Sequence, residues 1–237
     1  MTNPITRMQG PIFDLMAFLT GNGSIQMVAI SFFSVAVIIF LVFPIHECAH
    51  GLVAKWLGDD TAERQGRLTL NPFDHIDPLG AFAMCLCSIG WAKPVEVNIR
   101  NCNKVKARTA LALTSLAGPV ANFLLSYILM IITKVLILVG PSTVTFAYVI
   151  LALSEVISIN IYLGVFNLLP IPPFDGYKIL YSFLPYKASR FMEQYGQYIH
   201  WGFFLLLIFG LLDKPLGFLS NIVWWLLDKA SFFIPLG

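Results

Sequence analysis

Charge is what this chain has least of. Asp, Glu, Lys and Arg make up 12% of its 237 residues, where a soluble domain carries about a quarter. So few charged side chains cannot cover a soluble surface, which excludes an ordinary soluble fold. The formal net charge of +2 gives no electrostatic footprint for phosphate, which excludes a nucleic-acid binder. Cysteine is scarce as well: Cys48, Cys85, Cys87 and Cys102 form neither a paired metal spacing nor a secreted disulfide framework, and read as reduced packing thiols. There is no internal repeat, no low-complexity tract and no stretch long enough for an appended soluble domain, so residues 1–237 are expected to form a single membrane-embedded domain. A signal peptide at Ile12 to Leu19 is disfavoured, because that run contains Asp14 and only Arg7 precedes it.

What the chain has in abundance is apolar sequence, 57% hydrophobic residues, and a spanning helix needs about 20 of them in a row. No charge occurs between Asp14 and His46, and Ile25 to Ile45 is the strongest part of that run. Thr109 to Thr133 is a second candidate, and Val144 to Leu169, after the Gly140-Pro141-Ser142-Thr143 turn, a third. Tyr195 to Leu212 is a fourth, while Ile12 to Leu19 and Leu216 to Leu227 are short enough to lie in the interface. The expected fold is therefore an all-α polytopic membrane protein with about four to six transmembrane helices. Lys and Arg are concentrated in 55–108 and 174–194, so the positive-inside rule places those segments in the cytoplasm.

His46-Glu47-Cys48-Ala49-His50 is an HExxH sequence. On a helix, residues four apart share a face, so both imidazoles reach one ion, with Glu47 beside them to move a proton. Two neutral imidazoles suit zinc, and a catalytic zinc needs a third protein ligand and an open position. The motif directly follows more than twenty apolar residues, where ionisable groups are costly unless they face a cavity or a partner. Pro44 is expected to loosen the helix just upstream. Three side chains compete for the third position: His200 inside the fourth apolar run, His75 in the proline-broken loop 71–78, and Asp175 at the end of the third span. Asp175 is the most economical, because it lies at the depth of the HExxH and follows prolines that leave backbone facing a cavity. Glu155, inside the third span, is expected to be protonated or hydrogen-bonded, for example to Asn160.

Four segments carry a family likeness: HECAH, NLLPIPPFDG (167–176), NPFDHIDPLG followed by GWAKPV (71–80 and 90–95), and LAGPVANF (116–123). In this order they resemble the site-2 protease family of intramembrane zinc metalloproteases, in its compact branch without PDZ or nucleotide-sensing modules. The resemblance implies a three-helix catalytic core over about 25–176, followed by accessory helices over about 177–237. It implies one zinc ion held by His46, His50 and Asp175, Glu47 as general base, and Asn167 as a catalytic group that hydrogen-bonds the substrate carbonyl. Asn122 reads as a polar support, and Leu79 to Val95 as a membrane-embedded extended hairpin that receives an unwound substrate strand. The implied activity is regulated intramembrane proteolysis of transmembrane protein substrates in the cell membrane, close to the cytoplasmic face. A homo-oligomer or a regulatory membrane partner is compatible with it. The competing class is a zinc-binding transporter or scaffold without turnover. The clustering of ligands at one face and the missing repeat symmetry speak against transport.

Overall fold

A computed structural model describes residues 10–87 and 90–234. Among the described residues helix is the dominant structure and no strand forms, only one isolated antiparallel bridge between Ile76 and Ala92. Helix α1 (Pro11–Leu19) leads into α2 (Ile25–Val37), whose N-cap Ser24 accepts the Met27 amide at 3.3 Å. A π turn (Ile38–Val42) joins α2 directly to α3 (Phe43–Trp56). Its physical cause is Pro44, which has no N–H for the Phe40 carbonyl; the preceding amide, Phe43, donates five residues back, to Ile38. One extra residue in the turn rotates everything downstream by about 100°, the angle per residue of an α-helix, and so resets the face on which His46 and His50 lie.

Short helices α4 (Thr61–Arg64) and α5 (Pro72–His75) follow, then α6 (Pro78–Cys87), α7 (Ala107–Val139), α8 (Val144–Asn167), α9 (Asp175–Phe183), α10 (Tyr186–Ile208) and α11 (Asp213–Ala230). Among the described residues, three helices are long and apolar enough to cross a membrane: Ile25–Trp56, Ala107–Val139 and Val144–Asn167. They coincide with the three strongest spans expected from the sequence. The expected fourth span, Tyr195 to Leu212, falls on the second half of α10 and the turn after it. Glu193, Gln194, Gln197 and His200 lower the hydropathy of α10, which keeps that helix out of this group. α1 is only nine residues long, far short of a bilayer core of about 30 Å.

One expectation is corrected. Residues 79–87, assigned above to an extended hairpin that starts at Leu79, belong to the helix Pro78–Cys87. The cause is local: Asp77 caps the first turn by accepting the Gly80 amide at 2.8 Å, and Pro78 occupies the first helical position, where its missing N–H costs nothing. Only the second half of the proposed hairpin runs without helix. Residues 90–98 bridge Ile76 through Ala92, and Lys93 donates its amide to His75 O at 2.8 Å. Residues 88–89 lie outside the described set. Two apolar clusters hold the helices together. Val35, Ile38, Val42 and Phe43 pack on Met84 and Val156, while Met130, Ile157 and Val165 pack on Phe203, Leu207 and Leu216. α7 is the common partner of α3, α8 and α9, the elements that carry or adjoin the candidate ligands.

Candidate metal centre

α3 puts His46 and His50 one turn apart on a buried face, with their Nε2 atoms 3.1 Å from each other. The proline-broken 168–174 segment returns the chain to the same point, and Asp175 opens α9 there. Asp175 Oδ2 lies 3.3 Å from His46 Nε2 and 3.2 Å from His50 Nε2. Gly176 makes the approach feasible, because a Cβ on it would sit 2.1 Å from the Leu168 carbonyl oxygen. Ligand atoms bound tetrahedrally at about 2.0–2.1 Å stand about 3.3 Å apart, which is the size of this triangle.

The outer contacts decide which atoms face inward. His50 Nδ1 lies 2.7 Å from the Thr114 carbonyl oxygen, which only accepts, so this nitrogen carries the proton. His46 Nδ1 donates in the same way to Asn122 Oδ1 at 3.2 Å. Each neutral ring then presents the Nε2 lone pair to the other and to a carboxylate oxygen. Three lone-pair donors converging in a buried space repel one another unless a cation sits among them. The donor set therefore fits a zinc ion with one position left open. Burial alone pushes the Asp175 carboxyl up. The Lys178 ammonium acts the other way and favours the ionised carboxylate. Lys178, one turn along α9, donates to the second oxygen, Oδ1, at 3.0 Å.

α7 closes the other side of the triangle with Gly118. A Cβ there would lie 2.4 Å from His50 Nε2 and 2.6 Å from His46 Nε2, so only glycine fits. Asn160 on α8 steadies Asn122, donating to its backbone oxygen and to Ser126 Oγ, each at 2.9 Å. Both amide hydrogens of Asn160, the partner suggested for Glu155, are directed there.

Glu47, half-buried, and Asn167 line one cavity of about 610 Å³ together with the three donors. Glu47 Oε2 accepts the Val95 amide at 2.8 Å. Asn167 donates one amide hydrogen to Leu163 O at 3.0 Å. The other ligand candidates do not reach the centre. His75 is fully buried with Nε2 2.8 Å from Thr69 O, and His200 Nδ1 lies 2.9 Å from Pro172 O. Among the described residues, His46, His50 and Asp175 are the group of three such side chains placed to hold a metal. Cys48, Cys85 and Cys102 are free thiols. Sequence reasoning missed Thr114, Gly118, Lys178 and Val95. Gly118 and Val95 lie in segments noted for their family likeness, and Lys178 is a basic residue one helical turn from Asp175.

The model of peptidase family M50 matches residues 136–211. The "Putative zinc metalloprotease YwhC" of Bacillus subtilis (strain 168) is 39% identical over 192 residues, covering 79% of this chain and 83% of the relative. The chain belongs to peptidase family M50. This is the site-2 protease family, and membership makes the protein a membrane metalloprotease with zinc as its cofactor. Relatives of lower identity are similar over the same share of the chain. The "Putative zinc metalloprotease Rip2" of Mycolicibacterium smegmatis is 27% identical over 190 residues, 79% of this chain and 70% of the relative. Its namesake in Mycobacterium tuberculosis (strain H37Rv) is 29% identical over 191 residues, again 79% and 70%. No solved structure matches this M50 chain.

Proposed function

We propose that this M50 metalloprotease cleaves peptide bonds within or beside transmembrane segments of other membrane proteins, with His46, His50 and Asp175 holding zinc and Glu47 as general base. The observation that carries this reading is the convergence of three buried donor atoms with Glu47 on one cavity at the ends of apolar helices. When bound, zinc supplies Lewis acidity, polarising a carbonyl and lowering the pKa of water to about 7. Glu47 takes the proton released as water attacks the scissile carbonyl and returns it to the leaving amine. Asn167 directs its second amide hydrogen to the substrate carbonyl. A helical substrate hides its peptide bonds in its own hydrogen bonds and must unwind to enter, and residues 90–98 on the cavity wall lie alongside the unwound stretch. Lys and Arg in 55–108 and 174–194 favour a cytoplasmic placement of this end, in the cell membrane.

The test is a purified, reconstituted enzyme with a co-reconstituted single-span substrate. Glu47→Gln is expected to keep one zinc per chain and to lose cleavage, and Asp175→Ala to lose both. Cleavage at the wild-type rate by Glu47→Gln would overturn the reading.

A further inference from the structure

The peptide unit between Pro94 and Val95 is gripped at both ends. Its N–H is the one that Glu47 Oε2 accepts, at 2.8 Å. Its oxygen, Pro94 O, accepts from Arg67 Nη2 at 3.2 Å, and the same nitrogen donates to Lys93 O at 2.8 Å. A cation pulling on a peptide oxygen polarises the N–H on the other side and strengthens the hydrogen bond that it donates. The rest of 90–98 is tied down independently: Lys93 N–H donates to His75 O at 2.8 Å, and Asn98 N–H to Asp59 Oδ2 at 2.6 Å. Arg67 itself is anchored by its own amide on Ala62 O at 2.9 Å. One guanidinium nitrogen, Nη2, reaches two successive carbonyls at once through its two N–H groups.

We infer that Arg67 is a positioning residue for Glu47, acting through the Pro94–Val95 peptide. It holds one carboxylate oxygen against Val95 and so leaves Oε1 directed to the cavity. This rests on the assignment of Glu47 as base under the proposed function. Arg67 touches neither substrate nor metal, and its removal lets the carboxylate swing without disturbing the donors on α3 and α9. A misplacement of about 1 Å in a catalytic group costs about a hundredfold in rate.

The experiment compares Arg67→Ala with wild type in the reconstituted cleavage assay, and repeats the comparison in a Glu47→Asp background. There the carboxylate is one methylene shorter and its bond to Val95 is gone. Arg67→Ala is expected to lower kcat by roughly tenfold to a hundredfold, with KM and zinc content unchanged. Added methylguanidinium is expected to restore part of the loss. In the Glu47→Asp background the same substitution is expected to cost about twofold or less, because nothing remains to be positioned. Arg67→Lys, which keeps the charge on a shorter side chain, is expected to fall between Arg67→Ala and wild type and carries the test if Arg67→Ala does not fold. An equal fold-loss in both backgrounds would mean that Arg67 only pins the loop, and unchanged kcat would mean that it does nothing for Glu47; either overturns the inference. Both leave an active wild type in place, whereas an inactive wild type would strike the proposed function itself.

Discussion

Gly118→Ala adds one methyl group at the centre of the site, and two consequences of opposite sign can be weighed. In the interior of a helix, alanine is favoured over glycine by about 1 kcal/mol, so α7 itself is expected to be firmer. The new Cβ, however, stands 2.4 Å from His50 Nε2 and 2.6 Å from His46 Nε2, where ordinary contact begins at about 3.4 Å. The rings must therefore retreat by about 1 Å, while metal–ligand distances tolerate about 0.2 Å. If α7 moves instead, the 2.7 Å contact of His50 Nδ1 with Thr114 O stretches to about 3.7 Å and ceases to be a hydrogen bond. The His46 contact with Asn122 at 3.2 Å is lost in the same way. Each such outer partner accounts for roughly tenfold to a hundredfold in metal affinity, so the two together predict a loss of about 10²- to 10⁴-fold. Chelator competition on the purified protein in detergent measures the affinity, elemental analysis the stoichiometry, and circular dichroism the helix content. Gly202→Ala on α10 is the control, because a Cβ there meets nothing within 4 Å; it is expected to leave zinc binding untouched. Gly118→Ala with wild-type zinc affinity and intact helices would refute the account of how α3 and α7 pack.

Two further outcomes follow from groups away from the metal. Asp59 is buried just beyond α3 and accepts from Thr61, Asn98 and Asn101. Burial raises its pKa, but these bonds outweigh it and hold the carboxyl below its usual value. A lowered folded pKa means that the stabilisation is complete above the unfolded value of about 3.9 and is lost as pH falls through the folded one. Asp59→Asn is expected to melt below wild type at pH 6, with the gap narrowing below about pH 4; a gap constant with pH would contradict this. On the opposite end of α7, the buried Lys134 ammonium lies 2.8 Å from Asp228 Oδ1 on α11. Asp228→Ala leaves that charge with the residue-228 backbone oxygen at 3.2 Å but no counter-charge, whereas Lys134→Met removes it. The former is expected to be the less stable of the two by about 1–3 kcal/mol in thermal or denaturant unfolding, and the reverse order would contradict the pairing.

The three apolar spans, the HExxH and the choice of Asp175 over His75 and His200 were legible in the sequence. Each depends on something a string of residues displays: run length, a helical spacing, or a carboxylate next to prolines. Thr114 was not legible, because it contributes a backbone carbonyl, and any residue has one. Gly118 sits in a segment noted for its likeness to the family, yet its reason, the space taken by two imidazoles 68 to 72 positions upstream, exists only after packing. The extended reading of 79–91 overlooked a signal that was present. Asp77-Pro78 is a cap followed by a proline at the first helical position, and it starts the helix that forms there. The Glu47–Val95 bond joins a side chain to an amide far along the chain, which no local pattern announces.

The position of Asp175 in the chain also orders events during biosynthesis. His46 and His50 emerge from the ribosome early, while Asp175 follows the last of the three long apolar helices. A nascent chain that has inserted α3 and α7 therefore presents two imidazoles and Glu47 without their carboxylate partner. Such an intermediate is expected to hold metal more weakly than the full set of three donors. Only when the chain has turned back through 168–174 does the protease acquire its third donor. The candidate metal site is thus complete only once the chain has passed the third of these helices.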